Sequence, residues 1–297
     1  MSETDDLKGY IPKDTTQQTE FVKKCPNFDG RGLLIAILDT GIDVGFNGMQ
    51  KTSIGLPKIV DCFDFTGAGN VDTSIVRESD NKNVIIGLSG RSLKIPSKWI
   101  NPSGKWHLGL KSIYELCSEV ATESIIKIRK KSIAKQNELI LKQSKCKNDE
   151  NHKSLVEYLK MTEDLSKDSL VADCIVWNNG EKWQACIDTS FKGNLKKIKV
   201  LKDFPENYEY GTFWNILNYC IKIHENGNLL QIFSAASEHG NYVSHVAAAC
   251  FPNEPEMNGL APGAQLISMT VLDNRNGNCV NCNAVLKSVS YIKGYTV

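Results

Sequence analysis

The sequence predicts an α/β fold, a parallel sheet with helices on both faces, interrupted by a long α+β insertion. Three observations lead to it. Residues 33–38 form an unbroken apolar run, Leu-Leu-Ile-Ala-Ile-Leu, that ends in Asp39-Thr40-Gly41. A strand without polar alternation is one covered on both faces, as in a parallel sheet between helical layers. From about residue 67 the texture changes to short strand candidates, a charged helical stretch and hairpins, and after about residue 234 helices and buried strands alternate again.

Taken in order, residues 1–30 are polar and read as a loosely packed lead-in, residues 58–65 as a second strand, and residues 84–88 as a short one. Across 112–168, Lys, Glu and Gln recur with Ile and Leu, which predicts one long charged helix, a break near 147–150 and a second helix. Residues 171–177 turn through Asn178-Asn179-Gly180 into 183–188, and 214–224 turn through Glu225-Asn226-Gly227-Asn228 into 229–233. Both read as hairpins. Then come a helix over 239–250, a buried strand over 265–272, a helix over 284–293 and the beginning of another strand at 295–297. The expected organisation is a lead-in over 1–30, an α/β domain shared between 31–66 and 235–297, and an inserted α+β subdomain over 67–234.

Composition narrows the function. Lys and Arg number 35 against 34 Asp and Glu, a net charge of +1 over 297 residues. No overall field favours nucleic acid or an anionic membrane, so neither is an expected partner. The amino terminus, MSETDDLKGY, has neither a basic nor an apolar leader region, which argues against secretion, and no apolar run reaches the roughly 18 residues of a membrane helix. A cytoplasmic location is expected. The ten cysteines are scattered from Cys25 to Cys282 and read as reduced thiols. Cys279 and Cys282 have metal-ligand spacing, but a structural zinc needs a second ligand pair and no other CxxC or close Cys/His pair exists. Neither a metal nor a cofactor is expected. No Gly-rich phosphate loop follows the first strand, which sets aside nucleotide binding.

Three segments carry chemistry. Asp39 ends the first buried strand, and open α/β sheets place their sites at that rim. Taken alone, it reads as well as the cap of an Asp-x-Gly turn. The second segment, Ser237-Glu238-His239-Gly240-Asn241-Tyr242-Val243-Ser244-His245-Val246-Ala247-Ala248-Ala249, passes from a His-Gly into small residues that let a helix pack closely on a sheet. His239 stands at the helix start and can reach the sheet edge. His245, six residues on, is off that helical face and lacks a following Gly, so His239 is the candidate. The third segment, Asn258-Gly259-Leu260-Ala261-Pro262-Gly263-Ala264-Gln265-Leu266-Ile267, is a turn into a buried strand, with Gly259 lying 20 residues after His239 (259 − 239).

In this order the three resemble the subtilisin superfamily of serine peptidases, whose sequences carry Asp-(Thr/Ser)-Gly, His-Gly-Thr-His-Val-Ala and Gly-Val-Ala-Pro-x-Ala, with the Asp, His, Ser order of subtilisin itself. Asp39 and His239 are 200 residues apart (239 − 39), and a large insertion between them is similar to that of the tripeptidyl-peptidase II family. Within it, Gly87-Leu88-Ser89-Gly90-Arg91, Asn101-Pro102-Ser103-Gly104-Lys105 and Trp183-Gln184-Ala185-Cys186-Ile187-Asp188 also resemble that family. The likeness covers most of residues 30–297, least in the charged helices.

The resemblance implies an incomplete subtilisin-like sheet and a serine-type peptidase that releases tripeptides from free amino termini of oligopeptides, as a homo-oligomer at full length. It makes His239 the general base and Asp39 the carboxylate that holds its imidazole. The nucleophilic Ser and the oxyanion Asn lie beyond the third segment, and no Gly-x-Ser-x-(Ala/Pro) segment follows His239. By itself the chain is therefore expected to be inactive, with a catalytic half that needs the remainder of the peptidase domain. It departs from the family at Asn241-Tyr242, where Thr-His stands, at Ala249, where Gly stands, and at Val280, where a Glu binds the substrate's amino terminus. The departures at Asn241, Tyr242 and Val280 favour the alternative of a non-catalytic paralogue acting in assembly or peptide binding; Asp39 and His239 weigh against it.

Overall fold

A computed structural model describes residues 11–143, 170–273 and 279–294. The expected break near 147–150, the second charged helix and the strand at 295–297 lie outside the described residues. In chain order the elements are α1 (Gln18–Lys24), β1 (Leu34–Asp39), β2 (Ile59–Asp64), β3 (Asn70–Asp72), β4 (Ile75–Glu78), β5 (Val84–Ile86), β6 (Ser92–Lys94), β7 (Lys105–Ser112) and α2 (Glu119–Gln143). After the undescribed stretch come β8 (Val171–Asn178), β9 (Trp183–Ile187), α3 (Phe204–Asn207), β10 (Gly211–Phe213), β11 (Leu217–His224) and β12 (Leu229–Phe233). The chain closes with α4 (His239–Ala248), β13 (Gln265–Thr270), β14 (Leu272–Asp273), β15 (Cys279–Val280) and α5 (Cys282–Gly294).

The α/β part is a parallel sheet in the order β1-β13-β2, with Leu34 opposite Gln265 and Asp39 opposite Thr270. The strand expected to be covered on both faces, β1, is not the most buried one. Leu266 and Met269 of β13 are fully buried, whereas Leu34, Ile35 and Ala36 are half-buried, because β1 flanks β13 on one side and β2 flanks it on the other. Helix α1 carried no signal in the sequence, for a physical reason: none of its residues is buried, so it has no apolar stripe. It is held instead by polar reach, Gln18 Nε2 donating to the Leu260 carbonyl at 3.0 Å and, just before it, Lys13 Nζ to the Glu256 carbonyl at 2.7 Å.

Between β2 and α4 the chain forms antiparallel sheets in the orders β10-β11-β12-β3 and β4-β7-β8-β9, with a β5-β6 ribbon. Both hairpins read from Asn-Gly turns are present, β8 pairing Asn178 with Trp183 and β11 pairing His224 with Leu229. Two apolar clusters serve these sheets, one around Ile125, Val176, Tyr219 and Ile221, the other around Trp106, Trp177 and Leu93. A third lies under the parallel sheet, where Ile37, Ile59, Leu266 and Ala248 pack with Phe204, Cys220 and Phe233.

One ion pair crosses from the parallel sheet to the antiparallel one. Lys222 of β11 donates to Asp61 of β2 at 2.7 Å while its ammonium lies 3.7 Å from the centre of the Phe63 ring, and both charged side chains are about nine-tenths covered. Burial nevertheless holds the Asp61 carboxyl above its usual range, the desolvation outweighing the attraction of Lys222. Such a pair adds little net stability but is costly to break on one side, since a buried charge is left alone. Lys222→Met is therefore expected to lower unfolding stability by about 3 kcal/mol, and Asp61→Leu with Lys222→Met to recover most of it. Urea unfolding of the three proteins decides this, and a single variant within about 1 kcal/mol of the parent contradicts it.

Candidate active site

Strand β1 delivers Asp39 to the carboxyl rim of the sheet, and the next two residues turn the chain so tightly that only glycine fits. Gly41 has φ +87, and a Cβ there would meet Thr270 Oγ1 at 2.7 Å and the Ser234 carbonyl at 2.9 Å. Helix α4 begins against this turn. Gly240 N donates to Thr40 Oγ1 at 3.0 Å, Thr40 Oγ1 donates to the Ser237 carbonyl at 3.2 Å, and Ala236 N donates to the Thr40 carbonyl at 2.7 Å. A Cβ on Gly240 would sit 2.2 Å from the Gly41 carbonyl oxygen, so the two backbones meet only because residue 240 has no side chain.

This interlock brings the two predicted site residues together. His239 Nδ1 lies 2.9 Å from both carboxylate oxygens of Asp39, to which it donates one shared hydrogen bond. Asp39 is covered, its side chain 11% exposed, and its Oδ1 also accepts from Thr40 N at 2.7 Å; the His239 side chain is 67% exposed. A proton held on Nδ1 by a buried carboxylate leaves the Nε2 lone pair free on the solvent side, as a general base requires. Asn241 is buried, and its Oδ1 accepts from Asp43 N at 2.7 Å, so this departure from the family pattern is a tie between α4 and the turn after β1. Tyr242 is exposed, and its hydroxyl donates to Glu238 at 3.2 Å.

The third segment holds α4 from behind. A Cβ on Gly259 would meet the His245 carbonyl at 2.5 Å and the Ala248 and Ala249 amides at 2.7 Å, so the chain lies flush on the end of the helix. Lys58, wholly buried, clamps the same segment by donating to the Pro262 and Ala264 carbonyls at 2.7 and 2.8 Å. Burial brings its amine down to about 8, only partly offset by Cys250 and Asp29. Nothing in the sequence marked Lys58 out from the strand it begins. The same is true of Asn218, whose Nδ2 donates to Asp43 at 3.0 Å, and of a cavity of about 280 Å³ between Glu238, Tyr242, Asp43, Val120 and Ile216. Their partners are far away in sequence, so no local pattern could reveal them. Cys279 and Cys282 are both exposed, and Val280 between them, 62% exposed, pairs with Leu272. Among the described residues no group of three or more His, Cys, Asp or Glu is placed to hold a metal ion. No described helix is long and apolar enough to cross a membrane.

The subtilase family profile matches residues 30–289, a span that contains Asp39, His239 and the Gly259 segment. The chain belongs to the subtilase family. It is 39% identical to tripeptidyl-peptidase 2 of Caenorhabditis elegans over 90% of this chain and 21% of that protein. It is 37% identical to tripeptidyl-peptidase 2 of Oryza sativa subsp. japonica over 94% of this chain and 22% of that protein. The chain thus spans about a fifth of the length of these relatives. In three dimensions it is similar to the crystal structure of tripeptidyl peptidase 2, with a TM-score of 0.67 and 22% identity over 89% of this chain and 22% of that one, which shows a shared fold.

The rival histidine sits in a different environment. His245 is 7% exposed, its ring lies edge-on to Phe46 at 5.7 Å, and its Nε2 has no hydrogen-bond partner among the described residues. Burial lowers its pKa below the ordinary 6.5. The folded state therefore holds it neutral, and its contribution is intact above about pH 6.5 and declines as the pH falls through that value, where the unfolded chain takes up the proton first. Between pH 7.5 and 5.0 the parent is expected to lose more stability than His245→Phe, in which the ring persists without the titration. Parallel losses in the two proteins, measured by urea unfolding at each pH, would refute this.

Proposed function

We propose that this chain supplies the Asp and His of the active site of a serine-type tripeptidyl-peptidase acting on oligopeptides. The observation that supports this most is the single hydrogen bond from His239 Nδ1 to both oxygens of Asp39, formed across 200 residues of chain. In this reading His239 Nε2 takes the proton from a serine hydroxyl as it attacks the peptide carbonyl, then returns it to the leaving amine. Asp39 keeps the imidazole in the required tautomer and stabilises the imidazolium without itself being protonated. The serine and the donors for the oxyanion come from residues beyond this chain, as do the tripeptide-counting contacts. Residues 31–66 and 235–297 act as the peptidase portion and 67–234 as the inserted subdomain, which has two apolar clusters of its own and shares a third with the peptidase portion through Phe204, Cys220 and Phe233. A cytoplasmic homo-oligomer is the matching form of the complete protein.

A second reading, a non-catalytic paralogue that binds peptides, is favoured by Val280, which presents an apolar side chain where the tripeptidyl-peptidase II pattern has a carboxylate. The departure at Asn241 no longer supports it, because that side chain holds the site together.

The test separates the two. The 297-residue chain alone is expected to show no turnover of a tripeptidyl reporter. Co-expressed with the remaining segment of the Caenorhabditis elegans relative, and shown to co-purify with it, it is expected to cleave the reporter, and Asp39→Asn to reduce kcat by roughly 10⁴. A co-purified pair that is inert, or turnover indifferent to Asp39→Asn and His239→Ala, would establish the paralogue reading instead.

A further inference from the structure

We propose that a cavity on the antiparallel half of the molecule is a docking site for an acidic peptide segment, distinct from the Asp39–His239 site. The cavity encloses about 530 Å³ between the segments 98–100, 179–184 and 198–209. A volume of this size falls in the range of ligand-binding clefts.

The side chains that line it are net positive. Lys98, Lys199 and Lys202 line it, and Glu209 is the sole carboxylate among the lining residues, lying 3.6 Å from Lys199. Residues 191–202 carry five lysines (Lys192, Lys196, Lys197, Lys199 and Lys202) and no Asp or Glu, within a chain whose net charge is only +1. Lys182 nearby is paired with Glu206 at 2.6 Å, whereas Lys98 and Lys202 have no ion pair or hydrogen bond among the described residues. Two unneutralised ammonium groups beside one cavity favour an anionic occupant.

The walls add apolar and amide surface that a peptide segment can use. Trp99 stacks on the buried Trp177 at 4.6 Å and 15°, and Trp177 Nε1 donates to the Ile100 carbonyl at 3.1 Å, which makes one wall rigid and apolar before anything binds. Ile198 and Val200 add apolar surface to the lining. Gln184 has no side-chain partner among the described residues, and the Asn179 Oδ1 is already occupied by the Glu181 and Lys182 amides, so its NH₂ group remains to donate. Primary amides paired with point-charge ammonium groups match the carbonyls and carboxylates of a peptide. This inference does not depend on the peptidase chemistry, because neither Asp39 nor His239 lines the cavity.

The 297-residue chain is titrated, by calorimetry and by tryptophan emission, with a Glu-rich octapeptide acetylated and amidated at its ends, so that no free amino terminus is engaged. Saturable binding is expected, weakening roughly tenfold between about 50 and 300 mM salt, with the Gln-for-Glu peptide at least about tenfold weaker. Lys98→Ala with Lys202→Ala is expected to lose about tenfold in affinity while Lys98→Arg with Lys202→Arg retains it, which excludes a general loss of folding. Trp99→Phe is expected to abolish the emission change and leave calorimetric binding in place. Equal affinity for the two peptides, or indifference to the double alanine variant, overturns the proposal. Saturable binding of ATP or pyrophosphate without binding of the acidic peptide overturns the ligand class.

Discussion

Everything at this site depends on two backbones approaching more closely than side chains permit. The turn after β1 and the first turn of α4 meet at Gly41 and Gly240, where a Cβ on Gly240 would lie 2.2 Å from the Gly41 carbonyl oxygen. That contact sets the height at which His239 leaves its helix, and so the distance at which its ring meets Asp39. Thr40 and Asn241 then lock the approach with side-chain hydrogen bonds in both directions between the two segments. A dyad built this way is held by neighbouring backbone, and a shift of an ångström at either glycine would break the one hydrogen bond that orients the base.

The rest of the fold keeps those backbones still. β13 lies between β1 and β2, and its Ser268 hydroxyl accepts from Ile42 N at 2.9 Å, immediately after the turn. Lys58 and Gly259 press the 258–264 segment onto the far end of α4. The antiparallel half reaches the same place from the other side, through Asn218 to Asp43, Ser234 Oγ to the Leu116 carbonyl at 2.8 Å, and Lys222 to Asp61. The long stretch between Asp39 and His239 therefore carries groups that brace the site from outside the parallel sheet.

What could be read from the sequence was whatever has a local signature. The run before Asp39, the His-Gly followed by small residues and the two Asn-Gly hairpins each express backbone geometry in consecutive residues. Their order along the chain was enough to nominate Asp39 and His239. Three kinds of feature were not legible. Helix α1 buries nothing, so it lacks periodicity. The rank of β1 within the sheet depends on which strands lie beside it, a matter of topology and not of its own residues. Lys58, Asn218 and Lys222 act on partners more than 150 residues distant, and in the sequence each is an ordinary polar residue at or near the start of a strand or within one. Asn241 misled in the opposite sense, since a departure from a family pattern proved to be a structural tie.

The account stands on the protonation geometry of one ring, which nitrogen-15 NMR of the imidazole reads directly. With His239 assigned by its loss in His239→Gln, its neutral form is predicted to carry the proton on Nδ1 with Nε2 unprotonated, and Asp39→Asn to abolish that preference. A His239 ring protonated on Nε2, or one whose tautomer ignores Asp39→Asn, would show that Asp39 does not orient it and would contradict the account.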